Sequence, residues 1–235
     1  MKINGSVALV TGGNRGIGEQ FVKSLLDAGA SKVYASARDP KKVSVPGAVP
    51  LRLDITDPES VRAAAEQAQD VTLLINNAGI DTGASTVAGD LADFQREFDT
   101  HVFGTLRVSR AFAPVLARNG GGGILNVLSV LSWYAAPNSG GYSAAKAAEW
   151  SLTNSLRLSL ADQGTQVTGL HVGYVDTDLA AHVDAPKNDP ADVVAAALEG
   201  LEAGLHEVLA DDLSRRVKAA LAAGPEVLYP QIAGH

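Results

Sequence analysis

Apolar positions in this chain fall into short continuous runs, separated by stretches in which they recur at helical spacing. Ser6 to Thr11 (SVALVT), Lys32 to Ala37, Val49 to Leu53, Val71 to Ile75, Ile124 to Leu128, Gln166 to Val172 and Glu207 to Leu209 read as strands. Phe21, Val22, Leu25 and Leu26 form the apolar face of a helix that Ala28-Gly29 ends. Further helices are predicted over 57–69, 90–100, 102–118, 139–161, 189–203 and 211–222. Asp57-Pro58 and Asp189-Pro190 supply a capping carboxylate followed by a proline at the first helical position. The run at 71–75 is apolar throughout, as expected of a parallel strand covered on both faces. Regular alternation without repeat or linker predicts an α/β fold. One domain spanning 1–235 would hold a doubly wound parallel sheet of about seven strands with right-handed crossovers. Such a sheet binds ligands at the carboxyl ends of its strands.

Composition narrows the chemistry. The chain has 235 residues, 46% of them apolar, and no run reaches the length of a membrane span. The first residues show no secretory leader pattern, so a cytoplasmic protein is expected. With no cysteine, disulfides and thiolate chemistry are excluded. The five histidines (101, 171, 182, 206 and 235) show no metal-ligand spacing, so no metal site is predicted. A net charge of −7 argues against nucleic acid as a partner.

The first strand runs into Gly12-Gly13-Asn14-Arg15-Gly16-Ile17-Gly18 and then a helix. Strand, glycine loop and helix are the context of a dinucleotide site, where the backbone approaches a pyrophosphate at the positive end of the helix. After the second strand, where an NAD site would carry an acid, stands Arg38. Arg15 and Arg38 together suit a ribose 2′-phosphate, which favours NADP(H). Asp39 can serve a ribose hydroxyl, which leaves NAD(H) as the second choice. Asn76 and Asn77 end the fourth strand, either to stitch strands together or to touch a ligand. Asn119 to Gly123 precedes a strand and no helix, so it reads as a flexible connector.

Ser129 ends the fifth strand, and Tyr142 and Lys146 lie one turn apart on the next helix. An ammonium near a phenol favours the phenolate and is expected to lower the tyrosine pKa. Such a tyrosine can pass a proton to or from an oxygen, and Ser129 can hold that oxygen. No Gly-x-Ser-x-Gly elbow surrounds Ser129, so a hydrolase is not indicated.

With these features assembled, the chain resembles the classical short-chain dehydrogenase/reductase family. The resemblance rests on TGGNRGIG at 11–18, Asp54, NNAG at 76–79, Ser129 and YSAAK at 142–146, and covers essentially the whole chain. It implies that Tyr142 is the general acid/base, that Ser129 orients the substrate oxygen, and that Lys146 lowers the Tyr142 pKa and binds the nicotinamide ribose. It also implies a nucleotide held by Gly12, Asn14, Arg15, Gly16, Ile17, Gly18, Arg38, Asp54, Ile55, Asn77, Ala78, Gly79, Gly173, Val175 and Thr177.

Two positions depart from the family. His101 stands where an asparagine usually holds a relay water. An imidazole there either maintains the relay, with a sharper pH dependence, or is a core residue. Val172 replaces a proline before Gly173, which is expected to loosen the entry to an irregular lid over 173–189.

The expected activity is hydride transfer between NADP(H) and a ketone or secondary alcohol. Ile80, Val130, Leu131, Trp133, Tyr134 and Tyr174 would line an apolar pocket for bulky ketones, with Trp133 alternatively a packing anchor at a subunit contact. A 3-ketoacyl-thioester reductase and a low-turnover NADP(H) sensor are the competing readings. The family implies a homo-tetramer or homo-dimer, with the tail VLYPQIAGH a candidate for the contact.

Overall fold

The computed structural model describes residues 1–232; Ala233, Gly234 and His235 at the end of the tail lie outside the described residues. In chain order the elements are β1 (Val7–Val10), α1 (Gly16–Asp27), β2 (Lys32–Ala37), β3 (Val49–Arg52), α2 (Pro58–Gln67), β4 (Leu73–Asn76), α3 (Leu91–Phe98), α4 (Thr105–Arg118), β5 (Gly123–Val127), α5 (Gly140–Ser159), β6 (Gln166–His171), α6 (Pro190–Glu202), β7 (Glu207–Leu209), α7 (Asp212–Ala220) and α8 (Pro225–Leu228). All seven strands pair in parallel in the order β3-β2-β1-β4-β5-β6-β7.

The order reverses between β1 and β4, because the chain first winds outward through β2 and β3 and then returns to the other side of β1. That reversal opens a crevice at the carboxyl ends of β1 and β4. Each sheet face is sealed by its own apolar cluster. Phe21, Val22 and Leu25 of α1 and Val193, Val194 and Ala197 of α6 close one face. Val61 of α2, Phe112 and Leu116 of α4, and Leu156 of α5 close the other.

Three local features differ from the sequence expectation. The helices predicted at 90–100 and 102–118 are one continuous path, because Asp99–Gly104 forms a widened π-helical turn between α3 and α4. The segment expected to be a flexible connector is a packed turn. Gly120, Gly121 and Gly122 all have positive φ, and a Cβ on Gly122 would lie 2.1 Å from the Thr72 carbonyl oxygen. The helix expected at 211–222 is α7, and a short further helix, α8, follows it in the tail.

Candidate active site

The glycine loop meets the requirements of a nucleotide cradle. Gly12 and Gly16 have φ of 65° and 55°, which side chains resist. A Cβ on Gly18 would lie 2.1 Å from the Gly12 carbonyl oxygen, so the helix can begin this close to the strand only with glycine there. The N-cap residue of α1, Arg15, makes no capping side-chain bond, which leaves the first amides of the helix free of a side-chain acceptor. Asn77 and Thr11 hold the loop from beneath. Asn77 Nδ2 donates to the Thr11 and Gly12 carbonyls, and Thr11 Oγ1 accepts from the Asn77 and Ala78 amides. Asn76 is structural: it is buried and donates to Asn126 and Ser109. A cleft with close-approach glycines, an uncapped helix and flanking arginines fits a dinucleotide.

Around that cradle, several side chains have local partners. Arg15 reaches Asp178 at 3.5 Å between exposed side chains, and Arg38 is exposed at the end of β2. The Asp54 carboxylate accepts from the Thr56 amide and hydroxyl, which holds the turn that carries Ile55. Asp39 caps the turn after β2 by accepting from the Lys41 amide. Thr177 lies against Gly16, and a Cβ on that glycine would come within 3.3 Å of the threonine methyl.

The proton-transfer residues converge as their spacing predicts. Lys146 is buried, and its ammonium donates to the Val127 carbonyl at 2.8 Å, which ties α5 to the end of β5. Ser129, at that strand end, is buried and accepts from the Leu131 amide at 3.1 Å. Tyr142 is half-buried, and the Ser129 side chain beside it favours the phenolate. The Lys146 ammonium lies 5.7 Å from the centre of the Tyr142 ring.

The electrostatics correct one expectation. The Tyr142 pKa is raised, not lowered: burial dominates, Lys146 opposes it, and Glu149 and Asp81 add to it. Lys146 thus lowers the pKa as expected, but burial outweighs it, and part of the rise comes from a residue that sequence reasoning missed. Glu149 is buried, accepts from Lys146 at 2.7 Å and from the Thr105 hydroxyl at 2.8 Å, and offsets the cation. Its signal was in the sequence, since Glu149 and Thr153 share the helix face of Lys146 and a carboxylate on a buried face needs a partner.

His101 is buried beside Tyr142. It is 1% exposed, its Nε2–H donates to the Ile80 carbonyl at 2.7 Å, and its ring packs edge-on against Tyr142. Burial holds its pKa well below 6.5, and Lys146 lowers it further, so the sharper pH dependence considered for a relay histidine is not expected.

The lid base is tethered and not loosened by Val172. Asp211 Oδ2 accepts from the Gly173 amide at 2.7 Å and from Asn188 Nδ2 at 2.8 Å, and Val175 bridges Asn188. Of the expected pocket residues, Ile80, Leu131 and Tyr134 are half-buried and Tyr174 is exposed. Val130 and Trp133 are buried with Val217 beneath the loop. Trp133 stacks on His171 inside the chain, with centroids 3.7 Å apart. The tail folds back on its own chain, where Tyr229 stacks on Tyr134 and accepts from the Ala135 amide.

A family model described as short chain dehydrogenase matches residues 6–188. The chain belongs to the short-chain dehydrogenase family. It is therefore an oxidoreductase by family. A solved short-chain dehydrogenase from Burkholderia cenocepacia J2315, in complex with NADP, superposes with a TM-score of 0.94 at 38% identity over 100% of both chains. A 3alpha-hydroxysteroid dehydrogenase from Mediterraneibacter gnavus is 32% identical over 77% of this chain and 78% of its own. A 3-ketoacyl-(acyl-carrier-protein) reductase from Brucella melitensis, complexed with NADH, is 28% identical, covers 88% of this chain and 97% of its own, and has a TM-score of 0.81. No described helix of this short-chain dehydrogenase is long and apolar enough to cross a membrane.

Proposed function

We propose that this short-chain dehydrogenase interconverts hydrophobic ketones and secondary alcohols with NADP(H). The observation that carries the reading is the joining of Ser129, Tyr142 and Lys146 beside a glycine cradle flanked by two arginines. When bound, the nicotinamide supplies or accepts the hydride. The residues do the rest. Arg15 and Arg38 hold a 2′-phosphate through charge-assisted hydrogen bonds. The α1 amides and the glycine loop hold the pyrophosphate. The Lys146 ammonium has three donors, two of them used by Val127 and Glu149, which leaves one for a ribose hydroxyl.

The substrate oxygen sits between the Ser129 and Tyr142 hydroxyls. In reduction the Tyr142 phenol gives its proton to that oxygen; in oxidation the phenolate removes it. Ser129 holds the oxygen in line and stabilises its developing charge. Ile80, Leu131, Tyr134 and Tyr174 form an apolar and aromatic wall beside this point, which suits a bulky ketone. The likeness to a relative named as a hydroxysteroid dehydrogenase supports the same class.

The test is a cofactor-resolved screen. Purified protein receives NADPH or NADH with aryl, alicyclic and aliphatic ketones and with a 3-ketoacyl thioester. Turnover is expected with NADPH on bulky ketones, and Tyr142→Phe is expected to lose about a hundredfold or more in kcat with nucleotide affinity kept. Nucleotide binding without turnover on any ketone or alcohol would sink the reading.

A further inference from the structure

The Lys146–Glu149 pair has a consequence for how the tyrosine is set. Lys146 and Glu149 are three residues apart on α5, so their side chains leave the same face of one helix. Both are buried, and the ammonium-to-carboxylate distance is 2.7 Å. The other carboxylate oxygen is fixed by the Thr105 hydroxyl, which comes from the first residue of α4. His101 Nδ1, from the π-helical turn, lies 3.8 Å from the carboxylate and makes no hydrogen bond. The carboxylate is therefore clamped by two donors from two elements, and the ammonium cannot swing from it without leaving a charge buried.

We propose that Glu149 is a positioning residue of the Tyr142 centre: its carboxylate is the buried counter-ion that holds the Lys146 ammonium in place and opposes the field that ammonium exerts on the phenol. The inference rests on the reading of Tyr142 as the proton donor and acceptor. The groups facing Tyr142 are Lys146 and Glu149 from α5, Ser129 from the end of β5, His101 from the π-helical turn and Asp81 from the segment after β4. Only Lys146 among these is a cation, because His101 is held neutral. With the phenol buried and the Lys146 field opposed by Glu149, the Tyr142 pKa is raised and the phenol is held protonated at neutral pH. That poises the site to donate a proton, in the direction of carbonyl reduction, and leaves alcohol oxidation to alkaline conditions.

The direct readout is the titration of Tyr142 itself in the protein without nucleotide. It is followed by carbon-13 resonance at tyrosine Cζ and assigned by its loss in Tyr142→Phe. In Glu149→Gln the amide oxygen still accepts from Lys146 but the counter-charge is gone. The Tyr142 titration is then expected to move to lower pH by about one unit or more. The acid limb of alcohol oxidation should move with it. Glu149→Asp is expected to restore the wild-type titration. A Tyr142 titration unchanged in Glu149→Gln would overturn the inference, while loss of turnover in Tyr142→Phe tests the underlying reading separately.

Should Glu149→Gln fail to fold, the double variant Lys146→Met/Glu149→Gln removes both charges together and leaves no lone buried ion. An opposed pair predicts that Tyr142 then titrates within about one unit of wild type. A rise well beyond that would show Lys146 acting as an unopposed cation and would overturn the proposal.

Discussion

The His101 imidazole packs edge-on against the Tyr142 ring, with centroids 5.2 Å apart and planes 88° from one another. The π-helical turn at Asp99–Gly104 places His101 there, and the Ile80 carbonyl fixes its tautomer. A Cβ on Gly79 would lie 2.6 Å from His101 Cε1, so the imidazole also explains why a glycine ends the NNAG segment.

His101→Ala would empty this space and leave the Ile80 carbonyl without its donor. We expect a loss of about 2–4 kcal/mol in unfolding free energy by chemical denaturation. Because burial keeps His101 neutral, the wild-type activity profile should show no limb near its ordinary value of 6.5 that His101→Asn removes. A limb there that vanishes in the variant would restore a titrating role.

Arg15 and Arg38 are exposed at the mouth of the cleft, and Arg15 has only a 3.5 Å contact with Asp178 to give up. Replacing either by alanine is expected to weaken NADPH binding about tenfold or more, with NADH binding little changed. Fluorescence titration with both nucleotides checks this. Equal losses for the two would remove the 2′-phosphate assignment.

Gly18→Ala puts a methyl group 2.1 Å from the Gly12 carbonyl oxygen and 2.5 Å from Asn77 Nδ2. Neither atom can yield without moving the loop. We expect about 1–3 kcal/mol of destabilisation and a larger loss of nucleotide affinity. Thermal unfolding with and without NADPH separates the two effects.

His171 is fully buried against Trp133, and burial lowers its pKa from 6.5 to about 4. Below 6.5 the unfolded chain binds a proton that the folded protein refuses until about 4. Stability should therefore fall by about 3 kcal/mol as pH drops through that window, and should not depend on this group above it. Denaturant titrations at neutral and acid pH measure the slope, and His171→Asn should flatten it.

Much of the cleft was legible because its determinants are local. Gly12, Gly16 and Gly18 answer to backbone geometry within one strand–loop–helix unit. Tyr142 and Lys146 share a face because a helix turns every 3.6 residues or so. Their meeting with Ser129 follows from a rule of parallel sheets, whose strand ends all open on one side.

What the amino-acid sequence determined by itself was thus the fold class, the sheet's parallel winding and the residues gathered at its carboxyl edge. Only the tertiary structure decided what those residues experience. Lys146 acidifies Tyr142 as expected, but the pKa is raised on balance, because burial raises the cost of a phenolate by more and Glu149, which meets the same ammonium, adds to the rise. Trp133 was expected in a pocket wall, and it stacks on His171 inside the chain. Val172 was expected to free the lid, and Asp211, which follows β7 far along the chain, ties it down through Gly173 and Asn188. Spacing along a helix or strand names neighbours one turn or one pleat away. The charge, burial and tethering of a group depend on elements that packing brings from dozens of residues distant, and these set a pKa and a tether.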